Sequence, residues 1–217
     1  MNSPTYLVIE GPPGVGKSLL ARKLAKTYNS GLLLEQSSSN PFLARFFEHR
    51  RHYALQLQLS FLISRIRRLE GLNQRDIFYT HWVANFFLGR DLLFAEFTLN
   101  FDEFELYRQV YEKLAPKVPS PDLVIFLQAS VPVLESRLLK RHLPTEHRIP
   151  LDYLGDAVNS YARFFLRYKN SPLLMVNTED VDFLHNEKDY RQLLEYLPTA
   201  QRGRHFFNPI GSAEKIN

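Results

Sequence analysis

Residues 11–18 read Gly11-Pro12-Pro13-Gly14-Val15-Gly16-Lys17-Ser18, and nothing else in the chain limits its fold as strongly. This is G-x-x-x-x-G-K-[ST] at every fixed position, the phosphate-binding loop of strand–loop–helix units. Its glycines let successive backbone N–H groups turn inward around phosphate oxygens. The helix that starts at the lysine adds its positive N-terminal end. Lys17 is expected to reach the β- and γ-phosphates, and the Ser18 hydroxyl to hold Mg²⁺. The flanks agree with the motif. Tyr6-Leu-Val-Ile9 is a short apolar run of the kind that forms a buried strand. Residues 17–28 carry apolar side chains at helical spacing.

Further along, strand-like runs at 31–35, 76–80, 122–127 and 173–176 alternate with helical patterns at 42–70, 83–98, 102–115, 131–142, 151–169 and 188–197. That alternation predicts an α/β fold, a parallel sheet with helices on both faces. With the loop it predicts a three-layer fold of the P-loop NTPase type. Residues 1–198 read as one domain, and 199–217 as a basic, loosely ordered tail.

Composition narrows the function. The chain has 217 residues and no cysteine, which excludes disulfides, thiolate catalysis and zinc–thiolate sites. A cytoplasmic location is compatible with that usage. No apolar run approaches the roughly 20 residues of a membrane span, and the first residues do not resemble a secretory signal. Net charge is +4, but the arginines are scattered as Arg50-Arg51, Arg67-Arg68 and Arg202/Arg204. Nucleic acid is therefore not expected as the main partner. There is no N-K-x-D base-reading motif. Strand 122–127 runs into Gln128-Ala129 without a magnesium-binding aspartate, which argues against a motor ATPase.

A resemblance then becomes specific. Glu10 with the loop, Leu34-Glu35, Asn40-Pro-Phe-Leu43, Gln58, Ser64-Arg65, Asp91, Pro121 to Ala129 and Ile149 to Leu154 follow in order. Together they resemble the deoxynucleoside kinase family, in its bacterial deoxyadenosine/deoxyguanosine kinase branch. The resemblance implies a five-stranded parallel sheet, an arginine-bearing lid, ATP with Mg²⁺, and transfer of the γ-phosphate to the 5′-hydroxyl of a deoxynucleoside. It also implies a homodimer, with purine slightly favoured.

Residue by residue, the resemblance makes Glu35 the carboxylate that accepts the 5′-hydroxyl proton. Gln58 and Arg65, seven apart on one helix face, become the base-reading pair, and Asp91 the acid that fixes the arginine. Arg137 and Arg141 become lid arginines closing over the transferred phosphoryl group, and Glu146 a lid carboxylate that contacts the sugar. Glu179, Asp180 and Val181 fall in the loop that packs on the ATP adenine. Several positions depart from the pattern: Gln36 replaces an acidic or proline neighbour of the base, Phe86 and Leu92 stand where many members have Tyr or Arg, and Leu143 where some have a third lid Arg. Phe47 stands where a tyrosine binds the sugar 3′-hydroxyl, and Asn85 where an acidic residue supports the magnesium shell. Phe46, Phe47, Phe61 and Phe86 could stack a base or pack in the core.

Two other functions remain open at this level. One is a non-catalytic nucleotide-binding protein on the same fold. The other is a kinase for a different small acceptor, such as a nucleoside monophosphate. A monophosphate acceptor needs an added basic clamp, for which Arg45, Arg50 and Arg51 are the candidates.

Overall fold

The structure is a computed structural model and describes residues 5–35, 37–73, 79–140 and 149–209. Strand β1 (Tyr6–Glu10) is buried at every position and leads into the glycine loop. Helix α1 (Lys17–Thr27) follows, with Gly16 as its N-cap at φ 102°. Then come β2 (Gly31–Leu33), α2 (Leu43–Glu48), α3 (Arg50–Asn73), β3 (Trp82–Ala84), α4 (Asp91–Thr98) and α5 (Phe101–Leu114). The second half holds β4 (Leu123–Gln128), α6 (Val131–Lys140), α7 (Leu151–Arg167), β5 (Leu173–Asn177), α8 (Glu187–Tyr196) and β6 (Arg204–Phe207).

All described strand pairs are parallel, in the order β2-β3-β1-β4-β5-β6. Alternate side chains of each strand feed opposite faces. Leu7, Ile9, Leu123, Ile125 and Leu127 pack against α1, α6 and α8. Val8, Val124 and Phe126 pack against α3, α4, α5 and α7. This is the expected three-layer α/β arrangement. The switch point lies between β1 and β3, where the chain order reverses, and open parallel sheets place their sites there.

Two expectations need correction. The sheet has six strands, not five. The sixth comes from the tail expected to be loose. Arg204–Phe207 pairs with β5 in the register Leu173↔Arg204 to Val176↔Phe207. It is fastened from both faces. The Arg204 guanidinium donates to the Phe165, Leu166 and Tyr168 carbonyls, at 3.2, 2.8 and 3.3 Å, satisfying the exposed end of α7. The Phe207 ring stacks on Tyr196 at 4.7 Å.

The second correction concerns β3. The Ile77-Phe-Tyr-Thr80 run has strand propensity, but the paired segment is Trp82–Ala84, which overlaps the start of the 83–98 range expected to be helical. Tyr79 and Thr80 are not in a strand, and 76–78 lie outside the described residues. Tertiary fit decides here over propensity. The Trp82 indole lies so close to Gly31 that a Cβ there would sit 2.5 Å from the ring, so a glycine is required at the start of β2.

Candidate active site

The loop is built by steric constraint. Gly11 has φ 148° and Gly14 φ 83°. A Cβ on Gly11 would stand 2.5 Å from the Leu127 carbonyl oxygen, and one on Gly14 2.9 Å from that of Leu134. The loop is thus pressed against β4 and α6. Lys17 Nζ donates to the Gly11 and Pro12 carbonyls at 2.6 and 3.0 Å. That keeps the ammonium group within the loop where a phosphate chain would lie.

Beside the loop is a cleft of about 150 Å³. Gly14, Gly16, Lys17 and Ser18 form one wall, and Phe47, Gln58, Phe61, Arg65 and Tyr153 another. Glu35, Asn85 and Arg90 connect them. The sequence-expected residues Glu35, Gln58, Arg65, Phe47 and Asn85 therefore share one cavity with the loop. Of the four phenylalanines weighed for base stacking, Phe47 and Phe61 line the cleft, while Phe46 and Phe86 are buried core.

At the centre is a buried ionic network. Arg65 bridges Glu35 and Asp91. Arg90 pairs with the other Glu35 oxygen and also donates to Glu10 Oε2 at 3.2 Å and to the Tyr161 hydroxyl at 2.8 Å. Tyr161 in turn donates to Glu10 Oε2 at 3.0 Å. Three carboxylates share two guanidinium groups, and that shortfall divides their acidities. Burial works against the Glu35 charge, but Arg65 and Arg90 outweigh it and hold its carboxyl at about 2. Burial dominates at Asp91, pushing it up to about 6 despite the same arginines. Burial likewise raises Glu10, with Arg90 and Lys17 opposing. Glu35, the one of the three touched by both guanidiniums, is thus the one held well below its usual value.

Arg90, Glu10, Tyr161 and Tyr153 were missed as site residues by reading the sequence. Glu10 carried one usable signal: a carboxylate closing a wholly apolar strand must be paired when buried. Its partner Arg90 lies 80 residues away and carried none.

Asn85 joins the two halves of the site. It follows β3, and its Oδ1 accepts from the Glu35 backbone N–H at 2.7 Å. Its Nδ2 donates to Ser18 Oγ at 2.8 Å. No group of three or more His, Asp or Glu suited to a metal occurs among the described residues. The groups beside the loop that would face a Mg²⁺ ion are the Ser18 hydroxyl, with the neutral Asn85 amide behind it. That fits Mg²⁺, which is commonly held by few protein oxygens, substrate phosphates and water.

Other expected residues are placed differently. Arg137 donates to Thr178 Oγ1 at 3.1 Å and to the Thr178 and Val181 carbonyls, so it braces the 178–181 loop. Glu179 accepts from the Ser130 N–H at 2.8 Å and from its hydroxyl, fastening the same loop to the start of α6. Val181 is buried beside α6, and Asp180 is exposed. Arg141 and Glu146, and with them the lid, lie outside the described residues. Arg50 forms a two-pronged pair with Asp152, at 2.8 Å on each prong. None of Arg45, Arg50 and Arg51 lines the cleft.

The sequence model of the deoxynucleoside kinase family matches residues 7–200. A deoxyguanosine kinase of Bacillus subtilis is 28% identical over 202 residues, covering 91% of this chain and 98% of that protein. A deoxyadenosine kinase of Lactobacillus acidophilus is 27% identical over 213 residues, covering 90% and 96%. Among solved structures, the deoxyadenosine kinase from M. mycoides superposes with a TM-score of 0.75 at 19% identity, over 89% of this chain and 99% of that one. That last likeness speaks for the fold.

Proposed function

We propose that this chain, which belongs to the deoxynucleoside kinase family, transfers the γ-phosphate of ATP to the 5′-hydroxyl of a purine deoxynucleoside, with Glu35 as the orienting base. The observation that carries this is the shared cleft. A carboxylate held ionised by two guanidiniums lies in one cavity with the glycine loop, Lys17 and Ser18. In a loose phosphoryl-transfer transition state a weak base suffices, because its main task is to aim the hydroxyl. A carboxyl held near 2 suits that task. It is ionised at every physiological pH and fixed in direction by Arg65 and Arg90.

The backbone N–H groups of residues 11–16 and the Lys17 ammonium would hold the triphosphate. Ser18 would hold Mg²⁺, which, when bound, neutralises charge developing on the phosphoryl oxygens. Gln58 and Arg65 would face the base, and Phe47 with Tyr153 the sugar. The 179–181 loop, braced by Arg137, would pack against the adenine. Arg141 and Glu146 remain assigned to the lid by the resemblance alone.

A monophosphate acceptor is disfavoured, since Arg50 is committed to Asp152, none of Arg45, Arg50 and Arg51 lines the cleft, and Arg65 and Arg90, which do, are paired with Glu35. A homodimer in the cytoplasm completes the proposal. A groove between α4 and α7, lined by Phe97, Phe164 and Tyr168, supports pairing. No described helix is long and apolar enough to cross a membrane. Coupled assays with ATP, Mg²⁺ and each of the four deoxynucleosides test the activity. Turnover of at least one purine deoxynucleoside is expected; no turnover of any would remove the proposal.

A further inference from the structure

We infer that Thr98 is a specificity-determining positioning residue: it locks the Gln58 side-chain amide in one orientation, so the cleft offers the nucleobase a fixed hydrogen-bond acceptor. This rests on the deoxynucleoside reading above. Thr98 is the last residue of α4 and is not among the residues lining the cleft. Its hydroxyl oxygen lies 2.6 Å from the Phe94 carbonyl, four residues back. A carbonyl can only accept, so the single hydroxyl proton of Thr98 is committed there. Only lone pairs remain on Oγ1 for Gln58, 3.0 Å away. The Gln58 atom at that end must be its NH₂ group. With the amide turned over, two oxygens would face each other with no proton between them.

The consequence appears at the other end of the amide. Gln58 is 1% exposed, and its Oε1 is buried with no hydrogen-bond partner in the protein. A buried carbonyl left without a donor is costly, so a ligand that supplies an N–H is favoured. Two turns along α3, Arg65 Nε is also buried and without a hydrogen-bond partner, and arginine only donates. The base is thus read by one acceptor and one donor in a fixed order. Adenine offers an exocyclic amine at position 6 where hypoxanthine and guanine offer an oxygen. A freely turning amide would serve either edge equally; Thr98 removes that freedom.

The test measures binding of 2′-deoxyadenosine, 2′-deoxyinosine and purine 2′-deoxyriboside, which has no exocyclic group, to the full chain by calorimetry. Wild type, Thr98→Val and Thr98→Ser are compared. Wild type is expected to separate the best from the worst base by roughly tenfold or more. Thr98→Ser, which restores the hydroxyl, should keep that ratio within about twofold, while Thr98→Val should compress it to about threefold or less. An unchanged ratio in Thr98→Val overturns the inference. So does wild type that binds purine 2′-deoxyriboside as tightly as the better of the other two, a result that needs no variant to fold. Failure to bind any of the three overturns it as well. Base discrimination in binding without phosphoryl transfer would keep the role of Thr98 and remove the kinase reading. Turnover without base discrimination would do the reverse.

Discussion

Asn85 donates its side-chain amide to the Ser18 hydroxyl at 2.8 Å, so the residue after β3 steers the first turn of α1. The same side chain accepts from the Glu35 backbone N–H. One neutral amide therefore ties the Ser18 hydroxyl to the segment after β2 that carries Glu35.

Asn85→Asp adds a negative charge beside Ser18 and replaces the donated hydrogen bond with an accepted one. We predict that the Mg²⁺ concentration for half-maximal activity falls by about three- to tenfold, with little change in kcat. Asn85→Ala, which loses both contacts, should move it the other way. Magnesium titration at fixed ATP checks this. Indifference of the Mg²⁺ requirement to Asn85→Asp would place the ion away from Ser18.

Arg90 is buried between Glu10 and Glu35. Its removal leaves buried carboxylates short of a partner, a loss of roughly 3–5 kcal/mol. For Arg90→Met the sign of the pH dependence follows from Glu10, already raised above its usual 4.5 by burial. A carboxyl with a raised folded pKa binds its proton more tightly in the folded state. The extra loss should be small below pH about 4.5 and grow as pH rises. Adding Glu10→Gln should recover part of it. Urea unfolding of the single and double variants between pH 4 and 8 is the check, and a pH-independent loss would contradict the pairing.

Asp91 is pushed up to about 6 by burial, against Arg65 and Arg90. Its protonation weakens the hold on Arg65, which also grips Glu35 and lines the cleft. We predict an acid limb in kcat/KM near pH 6 that disappears in Asp91→Asn, with the plateau lowered about tenfold. Glu35, held at about 2, should add no limb in the assayable range. In stability the two residues act oppositely. The Asp91 contribution is lost as pH rises from its usual 3.8 to about 6, and that of Glu35 as pH falls from its usual 4.5 to about 2. An acid limb that survives in Asp91→Asn assigns it to another group.

What could be read from the sequence was what chemistry fixes locally. The glycine loop is legible because its spacing alone bends the backbone around a phosphate, and the sheet because strands and helices alternate. Glu35, Gln58 and Arg65 were reached through an ordered series of motifs that the cleft brings together. Arg90 was invisible because its meaning lies in Glu10 and Glu35, 80 and 55 residues away, with no periodicity linking them. β6 was hidden for a related reason. Four residues after Gly203, half of them exposed, carry no strand pattern until Arg204 finds the end of α7 and Phe207 finds Tyr196. Thr98 shows the same limit on a smaller scale: the proton it commits to Phe94 is local, but its effect on Gln58 crosses 40 residues.

The most direct measurement is the steady-state kinetics of Glu35→Gln together with its ATP affinity. An amide of the same shape cannot accept the hydroxyl proton, yet leaves the glycine loop, Lys17 and Ser18 in place. The expected result is a fall in kcat of roughly 10²- to 10⁴-fold, with the Kd for ATP within about twofold of wild type. Near-normal kcat in Glu35→Gln would contradict the assignment of this carboxylate to the reacting hydroxyl.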